Sequence, residues 1–423
     1  MTRRSSEYSL YNAQRFQRSL GLRSVQNIFE IVPAVHFVPK IRPRRVKSPE
    51  AALFKKVRHD LSNKSIILMK NVVIDPSKQN RVAKGGEDIH LVIGQTEKDE
   101  EITVQNGFFS ITSKELPNVK FPNLSHFNNW FAGISKRDHS YHEKFDEFPF
   151  TVLVRRGDYA NLYWTLMELY NTYLTVRLLN ENPKATNVIM MDAHPSGKLD
   201  NLWSLLFGNI YRIGHMSKKS FHKKLAWVIP ISDGPMLKSI QKIPFVEDFK
   251  FSLYQGVQNS ISLYHNCTDI KKVTFILRKD YVAHPRNQRG KVQRKLSNEN
   301  EVMDYLTKNL TKTEINPIQI DLLPIEEQIK IIYETSILIG IHGAGLAHTL
   351  LLRSGSTLIE LFPSSYKRFP NKHFQQFAYW ADAHYDRWYS RSPQRKNDSW
   401  VYVEPDVPYK LIKHAVERFC KNY

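Results

Sequence analysis

The stretch ILIGIHGAGLAHTLLLRSGSTLIELFP, residues 337–363, decides the fold prediction for this chain. It begins with an apolar run that is typical of a buried strand, and it ends with a second such run. Between the two runs the sequence predicts a tight turn and a short helix. Strand, turn, helix and strand in this order indicate a parallel sheet, in which the turns that follow the strands bind ligands.

The turn after the first strand is rich in glycine. Glycine leaves room for another group to approach the backbone, and the first amides of a helix have no partner inside the helix. Because the helix dipole is positive at the same end, a diphosphate suits this position. The predicted contacts come from His342, Gly343, Ala344, Gly345 and Leu346. Two simpler interpretations stay open: the glycines allow tight packing of helix on strand, and the histidine is an ordinary turn residue.

The glycine spacing disfavours two common nucleotide-binding motifs. G-x-x-G-x-G over 340–345 differs from the dinucleotide pattern G-x-G-x-x-G, and the Lys-Ser/Thr of a P-loop is missing. Neither NAD binding nor ATP hydrolysis is therefore favoured. Glu360 closes the next strand at its carboxyl end. We predict that its carboxylate accepts hydrogen bonds from ribose hydroxyls.

A second cluster supplies positive charge at the same edge of the sheet. Arg278 and Lys279 end a strand-like run, and a basic loop follows them. The loop carries His284, Arg286, Arg289 and Lys291. Since a guanidinium binds two phosphate oxygens at once, we predict that Arg278, Lys279 and Arg286 hold the diphosphate. The alternative is a solvated basic loop.

Strand and helix patterns alternate in two regions of the chain. This alternation predicts an α/β fold with two Rossmann-like domains that face each other across a cleft. The predicted parts are a basic N-terminal arm (1–50), a first domain (51–255), a second domain (256–385) and a C-terminal tail with a terminal helix (386–423).

The 423-residue chain has a formal net charge of +20, which suits nucleic acid, an anionic membrane or a phosphorylated ligand. No zinc-finger spacing, RNA-recognition signature or basic leucine zipper occurs, so we expect no nucleic-acid partner. No apolar run of about 18 residues occurs either. Membrane contact is therefore expected only through an anchor that this sequence does not contain.

Cysteine usage gives little information on the compartment. Two cysteines, Cys267 and Cys420, are too few for a disulfide-rich scaffold or a four-cysteine zinc site, and their pairing stays open. Asn-x-Ser/Thr acceptors permit a secretory location. They begin at Asn63, Asn123, Asn266, Asn309 and Asn397.

The 337–363 stretch resembles the C-terminal motif of glycosyltransferase family 61. Within that family, the chain is most similar to the N-glycan core β1,2-xylosyltransferases. Three more stretches carry the resemblance, which covers about residues 148–385. They are RRGDYANLYWTLMELYNTYL at 155–174, DAHPSGKLDNLWSLLFG at 192–208 and LRKDYVAHPRNQRGKVQRKLSNENEV at 277–302.

The resemblance implies a GT-B architecture, with the acceptor on the first domain and the nucleotide-sugar on the second. It implies inverting transfer of xylose from UDP-xylose, in β1,2 linkage, to the core mannose of N-glycans on glycoproteins. The implied location is the Golgi lumen, normally with an N-terminal anchor. The alternatives are a UDP-GlcNAc-dependent O-linked N-acetylglucosaminyltransferase and an inactive sugar- or nucleotide-binding relative.

An inverting transferase needs a general base for the acceptor hydroxyl and positive groups for the leaving diphosphate. Because no Asp-x-Asp pair occurs, we expect no divalent metal and no cofactor besides the UDP-sugar. Asp158 is the first candidate for the base, where plant-type sequences tend to carry Glu, and Asp192 and His194 are the others. Asp158 also suits the N-cap of the next helix. Trp164 replaces a histidine common in relatives, which keeps the inactive alternative open.

Overall fold

The computed structural model describes strand 35–37 and residues 66–112, 125–137, 145–237, 242–258, 261–262, 271–367, 371–391 and 400–419. Most of the predicted N-terminal arm lies outside these ranges. Cys267 and Cys420 also lie outside the described residues. The fold is mixed α/β, with parallel strands in both halves of the chain.

The first half builds an eight-stranded mixed sheet with strand order β6-β5-β2-β10-β7-β8-β9 and β1 beside β2. Neighbouring strands from β10 to β9 run parallel, whereas β2 is antiparallel to β10, β5 and β1. The short strands β3 and β4 pair separately. The strands are β1 Val35–Phe37, β2 Ile67–Ile74, β3 Gln79–Asn80, β4 Thr103–Val104, β5 Phe109–Ile111, β6 Ile134–Lys136, β7 Asp146–Val154, β8 Asn187–Met190, β9 Ile210–Arg212 and β10 Ser220–Trp227.

The second half builds a five-stranded sheet in the order β13-β11-β14-β15-β16, with every pair parallel. Two short strands, β12 and β17, pair outside it. The strands are β11 Lys271–Ile276, β12 Lys295–Leu296, β13 Thr313–Ile318, β14 Ile337–Ile341, β15 Thr357–Phe362, β16 His384–Tyr389 and β17 Trp400–Val401. Within the sheet, the first strand in the chain lies between the second and the third. The strand order thus reverses between β11 and β14, and in open α/β sheets ligands commonly bind at such a position.

The helices connect these strands. They are α1 Ser125–Ala132, α2 Leu162–Leu178, α3 Asn201–Leu206, α4 Val246–Gln255, α5 Glu299–Asn309, α6 Ile325–Glu334, α7 His373–Trp380 and α8 Asp406–Phe419. The helix after β14 is a 3₁₀ helix, Ala344–Leu351. Helix α6 shows why these segments fold as they do, because Ile325, Ile329 and Ile332 recur at helical spacing and are fully buried.

Three clusters of buried apolar side chains stabilise the sheets. One covers a face of the large sheet and continues through helices α2, α4 and α6 to a face of the five-stranded sheet. The other two cover the opposite face of each sheet. Alternate residues of one strand join different clusters, as in β7, where Val152 joins the shared cluster and Leu153 the other one. The two halves of the chain therefore share a continuous core.

Helix α2 begins at Leu162, after the loop of residues 155–161, so Asp158 lies before the helix. One predicted domain boundary falls within an element of the structure. The boundary predicted between 385 and 386 falls inside β16, so the tail begins within the second sheet. Helix α8 follows and packs against α5 and β15.

Candidate active site

The point of reversal between β11 and β14 brings Arg278 against Gly343. A Cβ atom added to Gly343 would lie 1.9 Å from Nη1 of the Arg278 guanidinium. The φ angle of Gly343 is 170°, an extended conformation that every residue adopts, so space is the reason for glycine here. Gly345 differs, since its added Cβ would meet Cγ2 of Ile276 at 3.2 Å. Gly345 therefore packs on the strand, and Gly343 leaves room for the Arg278 guanidinium, while the predicted contact with a diphosphate stays a prediction.

The backbone of the glycine turn offers free donors. Among the described residues, the amides of Gly343, Ala344 and Gly345 donate no hydrogen bond, whereas the amide of Leu346 donates to the Gly343 carbonyl at 2.9 Å. Leu346 was predicted to contact the ligand; this contact stays a prediction, which the hydrogen bond that closes the first turn of the 3₁₀ helix disfavours. The Leu346 side chain lies in the core. Three consecutive free amides remain, which is typical of an anion-binding turn.

A second arginine, Arg294, completes a pair of cations at this turn. Burial lowers the pKa of Arg278 to about 10, with the positive charge of Arg294 as the next cause. Arg278 donates from Nε to the carbonyl of Gln293 at 2.9 Å, and Arg294 donates to the hydroxyl of Tyr366 at 3.0 Å. In the part of the chain that the structure describes, neither arginine forms an ion pair with a carboxylate. Nε of Arg294 is buried without an acceptor. Two adjacent guanidinium groups without a counter-ion indicate an anion site.

Sequence reasoning missed Arg294 and Tyr366. The signal for Arg294 lay in the 277–302 stretch, but its left-handed backbone, with φ of 61°, directs the side chain in a way that no periodicity predicts. Tyr366 follows β15 in a short 3₁₀ turn. Lys279 was predicted to bind phosphate, but it is half exposed and pairs with Glu299 at 3.0 Å. Its role stays a prediction, which this pairing disfavours.

His342 and Glu360 form a buried pair beside the turn. Nδ1 of His342 lies 2.5 Å from Oε1 of Glu360, and Oε2 of Glu360 accepts from the hydroxyl of Tyr385 at 2.8 Å. Glu360 is fully buried. The ribose contact predicted for Glu360 stays a prediction. The hydrogen bonds to both carboxylate oxygens disfavour it. Tyr385 was not predicted.

Asp158 lies in the loop between β7 and α2. Its Oδ1 accepts from the amides of Ala160 and Asn161 at 3.0 and 3.1 Å, while Asn161 caps the helix through the amide of Tyr163. Within the described residues, Oδ2 of Asp158 has no hydrogen-bond partner. The N-cap role considered for Asp158 therefore belongs to Asn161, and one carboxylate oxygen of Asp158 stays free to accept a proton.

Asp192 is the partner of a buried arginine. Arg156 donates to it from the backbone amide, Nε and Nη2, the last at 2.6 Å, and both side chains are about 2% exposed or less. Burial raises the pKa of Asp192, but the charges of Arg156 and His194 outweigh this effect and hold the pKa far below its usual range. This arrangement favours a structural role for Asp192, because its lone pairs are occupied and it is a weak base.

His194 is engaged on both ring nitrogens. Nδ1 lies 3.0 Å from Oε2 of Glu100, and Nε2 lies 2.9 Å from the carbonyl of Arg156. Neither nitrogen is free to take a proton from a hydroxyl, so the geometry disfavours His194 as the base. Of the three predicted bases, Asp158 alone has an unengaged acceptor atom among the described residues.

Arg286 forms an ion pair with Glu100, a residue of the first half of the chain. It donates to Oε2 of Glu100 at 2.8 Å, and its Nη2 lies 2.7 Å from Nε2 of His284. Tyr159 stacks on His194 with ring centroids 4.8 Å apart and contacts His284 in a tilted arrangement at 5.3 Å. Glu100 was not predicted, since nothing in its local sequence marks it. The phosphate role of Arg286 stays a prediction, which this pairing disfavours.

Aromatic contacts join the loop of Asp158 to the glycine turn. Tyr163, at the start of α2, stacks on His373 with ring centroids 4.9 Å apart, and Trp164 packs edge-on against Tyr163. Burial lowers the pKa of His373, with the charge of His342 as the second cause. Phe374 of the same helix contacts both Tyr163, with ring centroids 6.0 Å apart, and His342, at 5.3 Å, so the start of α2 and the glycine turn pack against one helix.

The described residues contain neither a candidate metal cluster nor a candidate membrane-spanning helix. No group of three or more His, Cys, Asp or Glu side chains is placed to hold a metal ion there. Among the same residues, no helix has the length and apolar composition to span a membrane.

The parallel α/β sheet places free amides and two arginines at the reversal of strand order, a geometry that suits an anion. The chain belongs to the family Glycosyltransferase 61, whose family model matches residues 27–359. It is thus a glycosyltransferase-family protein, and a nucleotide-sugar donor and a glycan acceptor are the partners of this class.

Three relatives are similar to this chain. A β1,2-xylosyltransferase of Oryza sativa subsp. japonica is 28% identical over 262 residues, which are 56% of this chain and 48% of the relative. A β1,2-xylosyltransferase of Arabidopsis thaliana is 24% identical, with 82% and 77% covered. An EGF domain-specific O-linked N-acetylglucosamine transferase of Drosophila melanogaster is 23% identical, with 49% and 40% covered. The chain thus spans about half the length of the rice relative.

Proposed function

We propose that this protein is an inverting transferase that moves xylose from UDP-xylose, in β1,2 linkage, to the core mannose of N-glycans. The observation that carries the proposal is the contact of Arg278 with Gly343, beside Arg294 and three free amides, at the reversal of strand order. This arrangement suits a diphosphate. The similarity to two plant β1,2-xylosyltransferases supports xylose as the sugar.

The proposed architecture is GT-B. Residues 51–255 hold the acceptor, residues 256–385 hold the donor, and the reaction takes place between them. We propose the Golgi lumen as the location, because the proposed acceptor is an N-glycan.

In the proposed reaction, Asp158 removes the proton of the acceptor hydroxyl as the acceptor oxygen attacks C1 of the sugar. The bond from C1 to the β-phosphate oxygen breaks, and its electron pair leaves with UDP. Arg278, Arg294 and the amides of Gly343–Gly345 stabilise the negative charge that develops. We propose that these groups take the place of a divalent metal.

The functional test is incubation with UDP-xylose, UDP-GlcNAc and a defined N-glycan, followed by mass analysis of the product. We expect a pentose to be added, and we expect a chelator to leave the rate unchanged. Addition of N-acetylglucosamine would favour the activity of the fly relative. Full loss of activity with the chelator would overturn the metal-free proposal, and absence of any product would favour an inactive relative.

Gly343→Ala is expected to weaken UDP binding by about 10- to 100-fold in calorimetry. The added Cβ would overlap Nη1 of Arg278, so the guanidinium has to leave the turn. Loss of a charge-assisted hydrogen bond costs about 1.5–3 kcal/mol, which corresponds to this range. Gly345→Ala is the matched control, because its Cβ would meet only the Ile276 side chain, Cγ2 at 3.2 Å and Cδ1 at 3.9 Å. Equal affinities of the two variants would contradict the assignment.

A further inference from the structure

We propose that Glu360 and Tyr385 are positioning residues that hold His342 as a charged imidazolium, whose Nε2–H donates a hydrogen bond to the leaving diphosphate. This inference rests on the proposed function and deepens it. It assigns His342 a part in catalysis and gives Glu360 and Tyr385 a task other than contact with the donor.

Three adjacent elements build the group. His342 directly follows β14, Glu360 lies near the end of β15, and Tyr385 comes from β16. Glu360 accepts on Oε1 from Nδ1 of His342 at 2.5 Å and on Oε2 from the Tyr385 hydroxyl at 2.8 Å. A hydrogen bond on Nδ1 fixes which nitrogen of the ring faces outward, so Nε2 is the atom left for chemistry.

The carboxyl group of Glu360 is fully buried, with His342 as its basic partner. A carboxylate without solvent contact is costly to bury unless a positive group pairs with it. Among the described residues, no lysine or arginine forms an ion pair with Glu360, and Arg387, opposite it in the sheet register, lies over the ring of Tyr389 at 5.8 Å instead. Burial and then the Glu360 charge raise the pKa of Tyr385, so its phenol stays a neutral donor. In the proposed state, a proton on each ring nitrogen of His342 supplies the balancing positive charge.

The ring of His342 is fixed in one orientation by aromatic neighbours. It stacks on Phe362 at 5.0 Å and contacts Tyr366 at 4.8 Å and Phe374 at 5.3 Å. No described residue accepts a hydrogen bond from Nε2. The next residue in the chain is Gly343, against which Arg278 lies. A phosphate oxygen at the arginine pair is therefore a fitting acceptor for Nε2–H.

The hydrogen bond from Nε2 strengthens as the reaction proceeds. When the bond from C1 to the β-phosphate oxygen breaks, the departing oxygen gains negative charge, and a preorganised charged donor stabilises this state more than the ground state. The proton stays on Nε2 throughout. The proton of the acceptor hydroxyl goes separately to Asp158.

The kinetic test uses Glu360→Gln and Tyr385→Phe, with Tyr389→Phe as the matched control on the same face of β16. Glu360→Gln keeps an oxygen for Nδ1–H but removes the charge, and we expect kcat to fall at least tenfold with donor KM changed less than threefold. Tyr385→Phe is expected to lower kcat about threefold to tenfold. Tyr389→Phe is expected to leave both constants unchanged, since its hydroxyl has no partner among the described residues.

A spectroscopic test separates positioning from a merely structural role. In ¹⁵N-histidine spectra of the UDP complex, with the His342 signals assigned by their loss in His342→Asn, we expect both ring nitrogens of the wild type to carry protons. In Glu360→Gln we expect one of them to lose its proton. If Glu360→Gln does not fold, the wild-type spectrum and the kcat of Tyr385→Phe still test whether His342 acts as a charged donor.

Three results are distinguishable. An unprotonated Nε2 in the wild-type UDP complex would overturn the inference, and so would kcat values of both variants within threefold of wild type. A wild-type protein that neither binds UDP nor transfers a sugar would overturn the proposed function itself.

Discussion

Asp158→Asn is expected to lower kcat by about 10²- to 10⁴-fold, the range that a general base contributes, while UDP affinity stays unchanged. The amide oxygen of asparagine still accepts from the amides of Ala160 and Asn161, so the loop keeps its shape. What is lost is the second oxygen, Oδ2, which is free to take the proton of the acceptor hydroxyl. Initial rates with UDP-xylose and a defined N-glycan, together with UDP calorimetry, measure both quantities.

Asn161→Ser is the control for Asp158→Asn. It alters the cap of α2 in the same loop, where serine is also a good cap, so we expect kcat within about twofold of wild type. If Asp158→Asn keeps more than a tenth of the activity, Asp158 is not the base. A parallel loss of UDP affinity would show instead that the substitution disturbs the arginine pair.

Asp192→Asn is expected to act on stability, with a loss of about 3 kcal/mol in the free energy of unfolding. Removal of one partner leaves the buried guanidinium of Arg156 poorly compensated, which costs about 3–5 kcal/mol. We expect the lower end because Asp200 still accepts from Nη1 at 2.8 Å. Urea unfolding of both proteins at neutral pH measures the difference. The matched control is Glu147→Gln, in an exposed pair with Lys223, for which we expect a loss of about 1 kcal/mol or less.

The stabilising effect of Asp192 is expected to decrease at acid pH. The folded state lowers the pKa of this carboxyl, so its stabilising contribution is present above the ordinary aspartate value of 3.8 and is lost as the pH falls below it. The difference in stability between wild type and Asp192→Asn should therefore shrink in acid. A fully stable but inactive Asp192→Asn protein would contradict the structural role and restore Asp192 as a candidate base.

Much of the second half of the fold follows from sequence, because the signal is local. The central strands β14 and β15 are buried on both faces, so they appear as short apolar runs, and the glycines between them mark the turn. The arrangement of Arg278 and Gly343 at one edge also follows, because the carboxyl ends of parallel strands meet there. The sequence also predicted that another group approaches the backbone closely at Gly343. In the structure this group is the Arg278 guanidinium.

The partners of the charged side chains could not be predicted. Glu100 lies far from Arg286 in the chain, yet it is the carboxylate that engages both Arg286 and His194. Pairings of this kind depend on how distant loops meet, and neither spacing nor periodicity contains that information. The same holds for Arg156 and Asp192, which occupy the ends of neighbouring strands and neutralise each other. The predictions assumed that each basic or acidic residue was available to bind a substrate. In the structure several of these residues form ion pairs within the protein.

The central claim is that a uridine diphosphate binds at the glycine turn between β14 and the 3₁₀ helix. A crystal structure of the UDP complex tests it most directly. We predict phosphate oxygens within hydrogen-bond distance of the Gly343–Gly345 amides and of the Arg278 and Arg294 guanidinium groups. Ordered UDP elsewhere in the protein, with this turn still filled by the Arg278 side chain alone, would contradict the account.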